Sequence, residues 1–134
     1  MKIILCLDER DGMAFNKRRQ SSDARVSEDI VRTAGGRLVI FPYSEKLISE
    51  IGECRVSENA LCEAREGDYV FVETASVDEQ LRNAEGLIIY RWNRHYPSSL
   101  KLSVKPEDVG FRLVSTSDFV GNSHEKITKE IYER

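Results

Sequence analysis

The sequence has little of what disulfide-bonded, metal-binding or membrane-spanning proteins need. Its three cysteines, Cys6, Cys54 and Cys62, are odd in number and lack the spacing of a metal site, so we expect reduced thiols and no bound metal. No apolar run approaches the roughly twenty residues of a membrane span. The first run, residues 3–7, is too short for a secretory signal. We therefore expect a cytoplasmic protein with no membrane partner.

An excess of basic charge is also absent. The 20 Lys and Arg residues are outnumbered by 23 Asp and Glu, and the net charge of -3 disfavours a general affinity for nucleic acid. The 134 residues, 40% of them hydrophobic and 32% charged, are typical of one globular domain. We expect a single domain over residues 1–134, with RNA kept only as an alternative partner.

The chain does contain four short apolar runs that each end at polar residues. Residues 3–7, 38–41, 69–72 and 87–90 run into Asp8, Pro42-Tyr43-Ser44, Glu73 and Arg91. A parallel strand that is covered on both faces has no solvent side, so it shows a continuous apolar block. The runs predict four buried parallel strands, and in such sheets ligands bind beyond the carboxyl ends of the strands.

Helical patterns alternate with these runs. The spacing predicts a helix over residues 23–34, with Ser21 or Ser22 as its N-cap and a glycine pair at its end. Shorter helices are predicted after Ser44, over 57–65 and over 77–84, and residues 8–22 are predicted to form a charged loop. This alternation favours an α/β fold with a mostly parallel central sheet flanked by short helices.

The last quarter of the chain has a different pattern. Residues 111–115 and 126–132 alternate apolar and polar side chains with a period of two, which predicts half-exposed strands. We expect them to form an antiparallel hairpin at one edge of the sheet, joined by the loop 117–125. A homodimer through this hairpin is one further expectation.

Several strings in this order resemble the dihydrofolate reductase family. They are Met1-Lys2-Ile3-Ile4 through Asp8 and Gly12-Met13, then Leu38-Val39-Ile40-Phe41, Tyr69-Val70-Phe71-Val72, Ala84-Glu85-Gly86-Leu87-Ile88-Ile89-Tyr90 and Asn122-Ser123-His124. The resemblance implies a shortened dihydrofolate reductase-like fold. It also implies that Asp23, near the start of the first helix, matches the acid that binds the pterin in that family.

Two departures from the family concern its cofactor. The reductases place glycines after the strand matched by residues 69–72, where backbone amides approach the cofactor pyrophosphate, and here the sequence is Glu73-Thr74-Ala75-Ser76. A carboxylate at that position repels a pyrophosphate. Pro42-Tyr43-Ser44 replaces the residues that contact the adenosine-side phosphate. These changes argue against NADPH-dependent reductase activity and leave any cofactor unidentified.

A second resemblance is to short Firmicutes proteins that carry the label ribonuclease Z. Strings such as Arg18-Arg19-Gln20-Ser21 and Tyr90-Arg91-Trp92-Asn93-Arg94-His95-Tyr96-Pro97 are similar in both. True ribonuclease Z uses a dizinc site with a His-x-His-x-Asp-His motif. This chain has only two histidines, His95 and His124, which cannot supply such a site.

The polar ends of the strands give the candidate site. We predict His95, Asp23 and Glu73 as catalytic candidates. Ligand-binding candidates are Asp8, Arg18, Arg19, Tyr43, Ser44, Arg91, Asn93 and Arg94. Arginines beside aromatic rings suit a ligand that combines a planar ring with phosphate or carboxylate, so a small anionic, nucleotide-like ligand is the leading hypothesis. For Asp8 and Glu73 the alternative is capping or ion pairing with Arg91 or Arg94.

Two other functions remain open at this point. One is an RNA phosphodiester-cleaving enzyme in which His95 or His124 acts as the general base or acid. For His124 the plainer interpretation is a turn that leads into the last strand. The other is a non-catalytic protein interaction module.

Overall fold

A computed structural model describes residues 1–134, which form ten strands and three α-helices. The strands are β1 (Lys2–Leu7), β2 (Gly12–Phe15), β3 (Arg18–Arg19), β4 (Leu38–Ile40), β5 (Arg55–Val56), β6 (Tyr69–Phe71), β7 (Gly86–Arg91), β8 (Leu100–Lys101), β9 (Arg112–Phe119) and β10 (Ile127–Glu133). The helices are α1 (Ala24–Ala34), α2 (Glu45–Ile48) and α3 (Ala60–Glu63), with 3-10 turns at Pro42–Ser44, Gln80–Arg82 and Pro106–Val109. No helix has both the length and the apolar character that crossing a membrane requires.

The main sheet has seven strands in the order β5-β4-β6-β1-β7-β10-β9. β1 lies at its centre and pairs in parallel with β6 and β7, so that Ile3 is opposite both Val70 and Leu87. β10 is antiparallel to both β7 and β9. The four predicted parallel strands and the antiparallel hairpin at the sheet edge are confirmed, as is the α/β fold class.

Apolar side chains cover both faces of this sheet. Alternate residues of β1 point to opposite sides: Ile4 packs with Val26 and Ile30 of α1, whereas Ile3 and Leu5 belong to a separate apolar cluster. We call the side that α1 covers the helix face. Burial of each such side chain contributes about 1.5–3 kcal/mol, so the strands are fixed from both sides and their polar ends have fixed positions.

A second sheet of three strands, in the order β3-β2-β8, corrects the prediction of a loop over residues 8–22. β2 and β3 form a hairpin whose two-residue turn is Asn16-Lys17, with φ values of 50° and 64°. Positive φ at both positions is the requirement of a type I′ turn. The usual sequence signal for that turn is Asn-Gly. Because lysine replaces the glycine here, the sequence does not predict the hairpin.

The prediction of a helix over residues 77–84 also needs correction, because only the 3-10 turn Gln80–Arg82 forms there. The guanidinium of Arg134 donates hydrogen bonds of 2.6–2.8 Å to the carbonyls of Leu81, Arg82, Ala84 and Val109. Arg134 therefore holds the end of this turn. α3 is likewise shorter than the predicted 57–65.

We expect Arg134→Ala to lower the free energy of unfolding by about 1–3 kcal/mol, because it leaves carbonyls without their charged donor. Arg112→Ala is the matched control, since Arg112 is exposed on β9. Urea unfolding of both variants measures the difference. Equal midpoints for the two variants would contradict this role of Arg134.

Candidate functional site

Asp23 begins α1 as its N-cap. Its backbone is extended (φ -152°, ψ 128°) and its Oδ1 accepts a hydrogen bond of 2.9 Å from the Arg25 amide. The prediction that Ser21 or Ser22 caps this helix is wrong. An aspartate is as good a cap as a serine, and this one is also charged, so donors from elsewhere in the chain converge on it.

Those other donors come from the connection between β9 and β10. The Asp23 carboxylate accepts from the amides of Asn122 (2.9 Å) and Ser123 (2.8 Å) and from Nδ1 of His124 (2.9 Å). Asp23 is only 3% exposed. Burial raises its pKa, but the hydrogen bonds from Asn122, Ser123 and His124 outweigh burial and hold the pKa of Asp23 well below its ordinary value of 3.8.

His124 is buried beside Asp23. Its ring stacks on Trp92, with centroids 4.7 Å apart and planes at 25°. The other ring nitrogen, Nε2, lies 2.9 Å from Ser21 Oγ and 3.2 Å from the Tyr96 hydroxyl. We call Ser21, Asp23, Tyr96 and His124 the histidine cluster. The turn that was the plainer interpretation of His124 is present, because the Gly121 amide donates to the His124 carbonyl. No pattern in the sequence predicts that the four residues of the cluster meet.

Glu73 forms a second cluster on the helix face. Arg19 binds its carboxylate through two nitrogens at 2.8 and 2.9 Å, and Ser44 Oγ donates to it at 2.8 Å. The Arg19 guanidinium lies over the Tyr43 ring at 4.7 Å, and the Arg19 amide donates to the Tyr43 hydroxyl. The Glu73 carboxylate therefore lies beside Tyr43 and Ser44, where the sequence predicted a bound anion.

The charge of Glu73 also affects Cys6. Burial of the Cys6 thiol is the main cause that raises its pKa well above the ordinary value, and the negative charge of Glu73 adds to this effect, whereas Arg19 opposes it.

Asp8 is fully buried and closes the turn after β1. Its carboxylate accepts from the amides of Arg10 and Gly12, both at 2.8 Å, from the Tyr96 amide at 3.3 Å and from Gln20 Nε2 at 3.0 Å. Burial raises its pKa, but these hydrogen bonds, led by the Gly12 amide, leave the pKa of Asp8 below its ordinary value. Asp8 has the capping role that was the alternative interpretation.

Arg91 lies on the other side of the sheet from Glu73. It follows Ile89 by two positions, and its guanidinium donates to Asp11 and to Glu130, the latter at 3.1 Å. Because side chains alternate along a strand, the polar ends of β6 and β7 face opposite sides. The sequence led us to expect Asp8, Glu73 and Arg91 in one group. The structure separates Glu73 from Arg91, whereas the Arg91 guanidinium also donates to the Asp8 carbonyl at 3.4 Å.

The residues after β7 are also dispersed. Asn93 has a positive φ of 58°, and its Nδ2 donates to the Lys126 carbonyl and to Thr128 Oγ1. Arg94 and His95 are exposed, and neither side chain forms a hydrogen bond within the chain. Their assigned roles, like those of the other candidate residues, stay predictions.

A pocket of about 560 Å³ lies against the β2–β3 hairpin, and we call it the hairpin pocket. Its lining residues are Phe15, Asn16, Arg18, Arg19, Gln20, Tyr96 and Pro97. Gln20 Nε2 donates to Asp8 and to the Pro97 carbonyl, which ties the pocket to the carboxyl end of β1. Arg18 is exposed and has no carboxylate partner. No group of three or more His, Cys, Asp or Glu side chains is arranged to hold a metal ion.

We expect Asp23→Asn to lower the free energy of unfolding by about 1–3 kcal/mol at pH 7, because the buried donors lose their charged acceptor. The folded state depresses the pKa of Asp23, so its stabilisation is complete well above pH 3.8 and is lost as pH falls toward the folded pKa. The difference between wild type and variant should therefore shrink below about pH 4. Denaturant unfolding from pH 7 to pH 2.5 measures it.

The control for this series is Asp108→Asn, since Asp108 is exposed and its side chain has no partner. Its effect should be small at every pH. A difference for Asp23→Asn that stays constant across the whole range would show that the charge of Asp23 does not stabilise the fold.

Comparison with known proteins supports the fold. The structure is similar to that of a dihydrofolate reductase from Enterococcus faecalis complexed with NADP(H) and RAB-propyl, with a TM-score of 0.67. The alignment covers 99% of this chain and 95% of the reductase, at 11% sequence identity. No family model and no curated protein matches the sequence. At this identity the similarity concerns the fold alone, and it confirms that the chain has a dihydrofolate reductase-like α/β fold.

Proposed function

We propose that this protein binds a small anionic, nucleotide-like ligand in the hairpin pocket. One observation carries the proposal. Arg18, which has no carboxylate partner, lines a pocket of about 560 Å³ together with the aromatic side chains of Phe15 and Tyr96. Pockets for small ligands have this size, and a lining that includes two arginines suits an anionic ligand.

The two arginines of β3 have different roles in this proposal. Arg19 is committed to Glu73 by two hydrogen bonds, so its charge is largely compensated. Arg18 is free to place its planar fork against phosphate or carboxylate oxygens. Phe15 is 43% exposed, and together with Tyr96 it offers a surface against which a planar ring can stack. A phosphate on a planar base matches both features.

The proposal does not include reductase chemistry. NADP(H) is the ligand of the Enterococcus faecalis reductase. In this chain the glycines that the family uses at the pyrophosphate are replaced from Glu73 onward, and Glu73 is already paired with Arg19 and Ser44. A smaller nucleotide that needs only the Arg18 side of the pocket fits these residues better.

The other two functions stay alternatives, and neither has stronger support. RNA cleavage would need His95 or His124, and neither lines the hairpin pocket, although His124 contacts the hydroxyl of Tyr96, which does. An interaction module or a homodimer would use β9, an exposed edge strand on which Leu113 is 47% exposed. A single domain over residues 1–134 and a cytoplasmic location complete the proposal.

Isothermal titration with AMP, ADP, NADPH and a short RNA oligomer tests the proposal. We expect a mononucleotide to bind, and Arg18→Ala to weaken its affinity at least tenfold, which is about 1.4 kcal/mol. Arg112→Ala removes the same charge at a distant exposed position of β9 and should bind like wild type. No binding by any nucleotide at millimolar concentration, or equal binding by Arg18→Ala, would overturn the proposal.

A further inference from the structure

The histidine cluster has the connectivity of a nucleophile, a general base and an orienting acid. Asp23 Oδ2 lies 2.9 Å from His124 Nδ1, and His124 Nε2 lies 2.9 Å from Ser21 Oγ. This is the arrangement that activates a serine in unrelated hydrolases, and it is defined by geometry rather than by order in the chain. We propose that Ser21 is a nucleophile that hydrolyses carboxylic esters, with His124 as its base.

The imidazole of His124 is held in one orientation. The side chains of Asp23 and His124 are 0% and 2% exposed, and Trp92 stacks on the ring. Because the Asp23 carboxylate accepts from Nδ1, the neutral ring carries its proton there and leaves the Nε2 lone pair facing the Ser21 hydroxyl. Asp23 is thus a positioning residue.

Ser21 and Tyr96 are the partly exposed members of the histidine cluster, whereas Asp23 and His124 are buried. Tyr96 lines the hairpin pocket, as does Gln20, which precedes Ser21 in the chain. A carbonyl carbon placed at the pocket end next to Tyr96 would therefore be close to Ser21 Oγ. Ser21 does not itself line the pocket, and its hydroxyl lies 3.5 Å from the hydroxyl of Tyr96, which does.

The Tyr96 hydroxyl supplies a donor for the developing charge. It lies 3.5 Å from Ser21 Oγ and 3.2 Å from His124 Nε2. Tyrosine hydroxyls are among the side chains that stabilise oxyanions in acyl transfer. As Ser21 moves to its target, Tyr96 can turn its proton from Ser21 Oγ to the carbonyl oxygen.

The reaction needs only an ester and water. Ser21 Oγ forms a bond to the acyl carbon, its proton passes to His124 Nε2, and the carbonyl π electrons move to oxygen next to Tyr96. The tetrahedral adduct collapses, the C–O bond to the alcohol breaks, and the alkoxide takes the proton from Nε2. Water then attacks the acyl-serine and gives a proton to Nε2. The bond between the acyl carbon and Ser21 Oγ breaks, Oγ takes the proton back from Nε2, and a carboxylic acid is released.

The class of ester follows from the position of the hairpin pocket beside the histidine cluster. An ester that carries an anionic group would place that group on Arg18 and its carbonyl beside Ser21. This specificity rests on the proposed function, whereas nucleophilic Ser21 does not.

A fluorophosphonate probe tests the nucleophile directly. We expect one adduct by intact mass, mapped to the peptide that contains Ser21, with no adduct in Ser21→Ala. Ser22→Ala is the matched control and should be labelled like wild type, since Ser22 is exposed and its hydroxyl lies outside the cluster. Hydrolysis of p-nitrophenyl acetate should fall to background in Ser21→Ala only.

Two further variants separate this reaction from a structural role. Asp23→Asn should slow labelling at least tenfold while the adduct stays on Ser21, and Tyr96→Phe should slow ester hydrolysis about 10- to 100-fold, with circular dichroism showing that both are folded. Absence of an adduct on folded wild type, or wild-type hydrolysis by Ser21→Ala, would overturn the proposal. Nucleotide titration of Ser21→Ala should be unchanged, so failure of this proposal and failure of nucleotide binding are distinguishable.

Discussion

A buried carboxylate at the start of α1 is the constraint on which the rest of the candidate site depends. Asp23 caps its own helix through the Arg25 amide and receives four more donors from residues 122–124. A buried charge is costly unless it is fully paired, so the turn between β9 and β10 is fixed wherever Asp23 is fixed. That turn carries His124, and the position of His124 decides that its ring meets Trp92 on one side and Ser21 at its edge.

The alternation of side chains across the sheet explains why the polar strand ends do not form one site. Glu73 and the histidine cluster lie on the helix face, whereas Arg91 lies on the other face with Asp11 and Glu130. Glu73 and Arg91 each have partners on their own side, whereas Arg18 in the hairpin pocket has no carboxylate partner. This arginine beside aromatic rings is the feature on which the proposed binding of a ligand rests.

The sequence predicts the frame of this molecule well, because the signals for that frame are local. Buried parallel strands, α1 and the final hairpin each follow from the spacing of apolar residues over fewer than a dozen positions. The contacts of the site are not local. Arg19 and Glu73 are 54 residues apart, and Asp23 and His124 are 101 residues apart, so no periodicity connects them. The β2–β3 hairpin was missed for a different reason, since its Asn16-Lys17 turn lacks the glycine that usually marks such a turn.

Nitrogen-15 NMR of the histidine side chains measures whether Asp23 fixes the orientation and the tautomer of His124. At a pH where the ring is neutral, we expect His124 to carry its proton on Nδ1 in the wild-type protein. We expect this preference to be lost in Asp23→Asn, because the amide can donate to Nδ1. Exposed His95 is the internal reference. A His124 proton on Nε2 in the wild-type protein would contradict this role of Asp23, because Nε2 would then have no lone pair for the Ser21 hydroxyl.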